Sequence, residues 1–195
     1  MIPAPTELVV RREGFHAGYG GLRYEVRRSA LVSGERHDDS RRWDFSLDEG
    51  IWADDRGWFF SWAGARVSSP VRFLIHTDGR VGVSDGGPFI EVAASVPQLI
   101  ESHAIMDLVS SWDPCPGTLG PGVSTEPGVG LAARIDGLAV VPEASGPYDT
   151  WYLSDRVAVR IYWSWTSRRP RTRGLQMWTS GEKGRRQVEM AAGKP

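Results

Sequence analysis

The chain has 195 residues and a mass of 21.5 kDa, with 41% hydrophobic residues, 24% charged residues and a formal net charge of −1. That composition excludes wholesale disorder, a collagen-like chain and a coiled coil, and the length suits one domain able to bury roughly 70% of its unfolded surface without a metal or a disulfide. No apolar run approaches the ~18 residues of a membrane span, the N-terminus lacks a leader pattern, and the lone Cys115 leaves no internal disulfide, so a cytoplasmic protein in a reducing compartment is expected.

Residues 6–17 form a short first helix with a ragged apolar face of Leu8, Val9 and Phe15. Gly18-Tyr19-Gly20-Gly21 breaks it. Leu22, Tyr24 and Val26 then alternate with Arg23, Glu25 and Arg27, the period of a half-buried strand. Residues 33–41 are polar and read as a loop. Trp43 and Phe45 suggest a second short strand, and Gly57 to Trp62 an aromatic one. Val71 to His76 and Arg80 to Val83 flank Asp78-Gly79, which predicts a hairpin with a type I′ turn. Phe89 to Ala93 adds a further strand.

The clearest helix spans Val96 to Trp112. Ser95 caps it, Pro97 sits in its first turn, and Gln98 completes a capping box. Residues 113–130, rich in Pro and Gly, read as a long loop. Ala132 to Ile135 and Leu138 to Val141 flank Asp136-Gly137 and predict a second hairpin. Val157 to Trp165 alternates, with Val157, Val159, Ile161 and Trp163 on one face. Leu175 to Trp178 and Arg186 to Met190 read as short edge strands, and the tail beyond as disordered. The order predicts an α+β fold: a largely antiparallel twisted sheet flanked by one or two helices, with a β-rich C-terminal extension.

Recognisable chemistry is sparse. His16, His37, His76 and His103 have no zinc-site spacing, and one cysteine makes no cluster, so no metal or other cofactor is expected. Cys115 follows a helix C-terminus, where the dipole disfavours a thiolate. The glycine turn at residues 18–21 leads into a strand and is no phosphate cradle. These patterns name no catalytic set.

Charge is more informative. Residues 160–195 carry nine basic groups against two acids, a balance of +7, which leaves −8 for the rest of the chain. Asp48, Glu49, Asp54 and Asp55 cluster around Trp52, as a solvated face or as a patch for a basic partner. At the other end, Trp163, Trp165 and Trp178 surround Arg168, Arg169, Arg171 and Arg173. Such a set can be strand core beside a solvated loop, or a nucleic-acid surface in which aromatics stack on bases and arginines track phosphates.

Two stretches resemble the SUKH superfamily, the Smi/Knr-like proteins of bacterial toxin–immunity systems. One is Phe15-His16-Ala17-Gly18-Tyr19-Gly20-Gly21-Leu22-Arg23-Tyr24. The other runs from Phe73 through Asp78-Gly79-Arg80-Val81 to Ile90-Glu91-Val92-Ala93-Ala94-Ser95 and on to Leu99-Ile100-Glu101. The likeness covers residues 7–112. It divides the chain into a SUKH-like core over residues 1–112, a β-rich extension of the same domain over 113–190 and a tail over 191–195. It implies an α+β scaffold and a non-catalytic role, the binding and neutralising of a toxin domain such as a nuclease or deaminase. An inhibitor of a nuclease-type toxin needs an acidic face to complement a basic one. The expected function is therefore an immunity-like protein with a basic protein partner at Asp48, Glu49, Trp52, Asp54 and Asp55. The alternatives are a nucleic-acid module at residues 160–186 and a small enzyme whose site converges only in the fold.

Overall fold

The computed structural model describes residues 4–67, 70–115, 130, 132–163 and 173–192. It is α+β. Helix α1 spans Thr6–Tyr19, and a six-stranded antiparallel meander follows: β1 (Arg23–Val32), β2 (Glu35–Asp54), β3 (Gly57–Ala65), β4 (Arg72–His76), β5 (Val81–Ser84) and β6 (Ile90–Ala93), side by side in chain order. Helix α2 (Val96–Val109) leads to a second antiparallel sheet. Its strands are β7 (Asp113–Pro114), β8 (Ala139–Val140), β9 (Asp149–Leu153), β10 (Val157–Trp163) and β11 (Arg173–Thr179), in the spatial order β7-β11-β10-β9-β8. Helix α3 (Gly181–Ala191) closes the described chain.

Helix α1 buries only Leu8 and Phe15, two residues seven apart on one seam. Phe15 nevertheless meets Phe45, Phe60 and Trp62, with ring centroids 5.6–6.3 Å apart. Helix α2 is capped as its sequence predicts: Ser95 Oγ accepts the Gln98 N–H at 3.2 Å. The Gln98 amide reaches back one residue further than the usual box and accepts the Ala94 N–H at 2.6 Å. The helix ends at Val109, three residues earlier than its apolar pattern suggests. There Ser110 turns the chain back onto the Asp107 carbonyl, and Arg36 donates to the carbonyls of Ser110 and Trp112.

Several expectations need correction. Residues 35–41 are strand, not loop: β2 runs for 20 residues, and its first half pairs fully with β1. Cross-strand ion pairs such as Arg28–Asp39 replace the apolar alternation that would have marked it. The two-residue turn with positive φ at both positions occurs here, at Ser33 (φ 54°) and Gly34 (φ 87°), closed by Val32 opposite Glu35. The Asp78-Gly79 hairpin exists with a different turn. Only Gly79 has positive φ, at 98°, its N–H bonds to the His76 carbonyl, and the loop has three residues. That is the type I plus bulge solution.

Ala132 to Ile135 is not a strand. The Asp136-Gly137 segment belongs to consecutive tight turns, and Ala139–Val140 pairs with Tyr152 and Leu153 of β9 instead. Leu175 to Trp178 is no edge, since β11 lies between β10 and β7. Arg186 to Met190 belongs to α3, whose Gly184, Val188 and Ala191 are buried at helical spacing. Helix α3 also holds Ala191, the first residue of the expected tail; residues 193–195 lie outside the described residues.

One apolar core joins the first sheet, both leading helices and one face of the second sheet. It includes Phe45, Phe60, Trp62, Val81, Val109, Trp151, Ala158 and Trp178. The other face of β10, with Val157, Val159 and Ile161, packs with Val188 and Ala191 of α3. Strand β10 is therefore buried on both faces.

Candidate functional site

The second half of β2 has β3 on one side and, among the described residues, no strand on the other, because β1 pairing stops at Asp44. The exposed backbone of this edge is tied down locally. The Ser46 N–H bonds to Asp44 Oδ1 at 2.9 Å and the Glu49 N–H to Asp48 Oδ1 at 2.8 Å, with register shifts on both sides of Leu47. Charges and bulges of this kind protect an edge from pairing with another chain. Asp44 Oδ1 accepts from Ser46, and Arg23 sits 2.8 Å from Oδ2; these contacts hold its carboxyl below the usual carboxylate range.

Asp48, Glu49, Asp54 and Asp55 are all exposed along this edge and its closing turn. Asp54 lies six positions along the strand from Asp48, about 20 Å if fully extended, so they form a stripe and share no single point. Trp52 lies between the pairs, opposite Phe59, with 43% of its surface exposed. Arg72 stacks on its ring at 4.1 Å. The stripe is thus acidic with a clamped aromatic at its centre.

The C-terminal Trp/Arg group separates into different environments. Trp178 is 1% exposed, stacks on Trp151 at 5.7 Å and donates its indole N–H to Ser29 at 3.0–3.1 Å, so it is core and cannot stack on a base. Trp163 is half-buried, with Arg173 over its ring at 5.0 Å. Trp165, Arg168, Arg169 and Arg171 lie outside the described residues.

A third site escaped the sequence reading. Register places Arg28 opposite Asp39 and Arg41 opposite Val26, all on one face of the β1–β2 ribbon. That face and the end of the second sheet enclose a cleft of about 500 Å³. Its lining includes Arg28, Arg41, Arg160, Tyr162, Trp163 and Gln176. Arg160 is held by Asp149 through two bonds of 2.7 and 2.8 Å. Ser102 of α2 donates to the same carboxylate at 2.7 Å and accepts the Trp151 indole N–H at 2.9 Å, which bolts the helix to the second sheet. Arg28 meets Asp39 only at 3.8 Å. Burial lowers the pKa of both Arg28 and Arg41, and the neighbouring guanidinium charges lower it further. The available signal was Arg160, a cation inside the apolar run of β10. The other two arginines of the cleft, Arg28 and Arg41, lie 119 or more residues upstream, so spacing could not reveal their convergence on it.

His103 is half-buried and feels the charges of the three cleft arginines. Its Nδ1 is 2.8 Å from the Tyr24 hydroxyl, and its ring lies 4.1 Å from Trp43. Burial, then the charges of Arg160, Arg41 and Arg28, push its pKa down to about 3, so the ring is neutral. Burial also pushes the Cys115 thiol up, away from a reactive thiolate.

A larger groove, about 1070 Å³, lies between α1, the β4–β5 turn and the start of α2. His76 is on its wall. The Nδ1 of His76 is 2.8 Å from Asp78 Oδ1, and its Nε2 is 3.1 Å from the Arg56 carbonyl. Arg80 bridges Asp78 and Glu91 at 2.7 and 2.9 Å. Both ring nitrogens are engaged, so this pair fixes the hairpin and presents no base to the groove. No group of three or more metal-ligating side chains occurs among the described residues, and no helix among them is long and apolar enough to cross a membrane. No family model, curated protein or solved structure matches the chain.

Proposed function

We propose that the chain is a non-catalytic, immunity-like cytoplasmic protein of the SUKH type that binds and neutralises a basic toxin domain, of the nuclease or deaminase kind, through the acidic edge of β2. The observation that carries this reading is Trp52, a large aromatic left 43% exposed and clamped by Arg72 amid four exposed carboxylates. Tryptophan is enriched at interface hot spots, and a side chain already held in place loses little freedom on docking. The surrounding acids attract a basic face and repel an acidic one, which speeds encounter and rejects wrong partners.

The β2 edge offers this surface on a rigid support, because Phe59 and Phe60 behind it are buried. Substituting lysine at Asp48, Glu49, Asp54 and Asp55 together is expected to slow association with the partner by about tenfold or more at low salt, with the gap closing as salt rises. Surface plasmon resonance at two ionic strengths checks this. Equal association rates for the parent and the charge-reversed chain would remove the acidic edge from the interface.

A further inference from the structure

The aromatic at the centre of the acidic edge carries a cation that the surrounding carboxylates leave unused. Arg72 opens β4, opposite Ser84 of β5, and is exposed. Its guanidinium lies over the Trp52 ring at 4.1 Å. Among the described residues Arg72 donates no hydrogen bond and joins no ion pair, so none of Asp48, Glu49, Asp54 and Asp55 neutralises it.

Stacking on a ring engages the face of a guanidinium and leaves the N–H groups at its edge to bond elsewhere. Those donors match a carboxylate, one N–H to each oxygen. The ring beneath is itself held in place. A methyl group on Gly50 would stand 2.6 Å from Trp52 Nε1, and Gly50 is tied to β3 by Ser61 Oγ, which accepts its N–H at 3.1 Å. A fork that is already placed loses little freedom when it is bonded.

A partner docked on Trp52 covers Arg72 as well. A wholly basic face would leave these donors unmatched and set like charges against each other, both costly away from water. A basic face with one carboxylate at that point avoids both costs. Phosphate suits the fork too, but the acids on either side of Trp52 repel its second charge.

We propose that Arg72 is the specificity-determining residue of the β2 edge, selecting a basic partner that sets one aspartate or glutamate carboxylate against the Arg72–Trp52 stack. The inference rests on the acidic edge being the interface, and it adds the sign of the charge required at that interface's centre.

Two fluorescently labelled peptides are the probes, a lysine-rich peptide with one central glutamate and the same peptide with glutamine there. Their binding to the full-length chain is read by anisotropy at low ionic strength. The acids alone favour the glutamine peptide, which has the larger positive charge. With Arg72 in place the glutamate peptide is expected to bind about threefold or more tighter. The order is expected to invert in Arg72→Gln. Arg72→Lys keeps the charge without the fork and should bring the peptides within about twofold of each other. Arg72 is exposed, so neither variant empties the core. The inference is overturned if the glutamine peptide binds the parent as tightly as the glutamate peptide, if the glutamate peptide does not saturate, or if its advantage persists in Arg72→Gln. Where the glutamine peptide binds tightly and the chain with Asp48→Lys, Glu49→Lys, Asp54→Lys and Asp55→Lys loses it, the Arg72 assignment falls and the acidic edge stands.

Discussion

Asp48, Glu49, Asp54 and Asp55 lie along one strand and its turn, each in water, whereas Arg28, Arg41 and Arg160 come from three strands in two sheets and meet in one cleft. The acids are close in sequence and stay spread out in space, because an extended strand separates its residues by ~3.3 Å each. The arginines are far apart in sequence and converge, because a meander and a second sheet share one core. Charges in water alter rates of encounter and hardly alter stability. Charges gathered beside a core are held by partners, as Arg160 is by Asp149. Proximity in sequence therefore says little about which charges meet in the fold.

Removing the core that brings the arginines together has the largest expected effect. Trp151 and Trp178 are fully buried, stacked on each other and hydrogen-bonded to Ser102 and Ser29. Either Trp→Ala substitution is expected to cost about 3–5 kcal/mol by denaturant unfolding, enough to detach the second sheet or unfold the chain. A loss under about 1 kcal/mol would mean that the two sheets do not depend on this contact.

Next comes the pairing of Arg160. Asp149→Asn keeps the shape and strands a guanidinium that is 19% exposed, for an expected loss of about 3 kcal/mol. Pairing it with Arg160→Met should restore part of that stability, since an apolar replacement of a buried pair is often neutral. Asp44→Asn removes a pair whose arginine is mostly in water, and about 1 kcal/mol or less is expected. Equal losses at the two sites would erase the contrast between cleft and edge.

The third effect depends on pH. The His103 pKa is about 3 in the fold against an ordinary 6.5. The unfolded chain therefore takes up a proton between those values while the folded one does not. The corresponding stability is fully present above pH 6.5 and falls as pH drops toward 3. Between pH 7 and pH 5 the loss should be about 2 kcal/mol. In His103→Gln the melting temperature should fall less steeply over that interval. A parallel pH dependence in the two proteins would place the buried proton elsewhere.

Single substitutions of Asp48, Glu49, Asp54 or Asp55 should be the mildest, within about 0.5 kcal/mol in stability. Their consequence belongs in association kinetics.

Much of the first sheet was legible in the sequence. Tyr24 and Val26, Trp43 and Phe45, the aromatic run of β3 and the Asp78-Gly79 hairpin all show strand periodicity or turn chemistry within a few residues, and Ser95 and Gln98 mark the start of α2. The ribbon over residues 35–41 was not legible, because it is polar on both faces and its cross-strand Arg28–Asp39 pair leaves no apolar alternation to mark it. The segment at Asp136-Gly137 misled, because that dipeptide specifies a local turn and not the strand that pairs beyond it. Helix α3 was missed because its buried face is narrow, only Gly184, Val188 and Ala191. At the sites, exposure of Trp52 and burial of Trp178 depend on which strand lies behind each ring, a tertiary fact that alternation alone does not contain.

The most direct test of the acidic edge is a quantitative capture from extract of the producing cell. Tagged parent, Trp52→Ala and the chain with lysine at Asp48, Glu49, Asp54 and Asp55 are compared after nuclease treatment. The account predicts that the parent retains one basic protein in near-stoichiometric amount and that both variants lose it. The same protein held equally by all three, or only nuclease-sensitive material held by any of them, would contradict it.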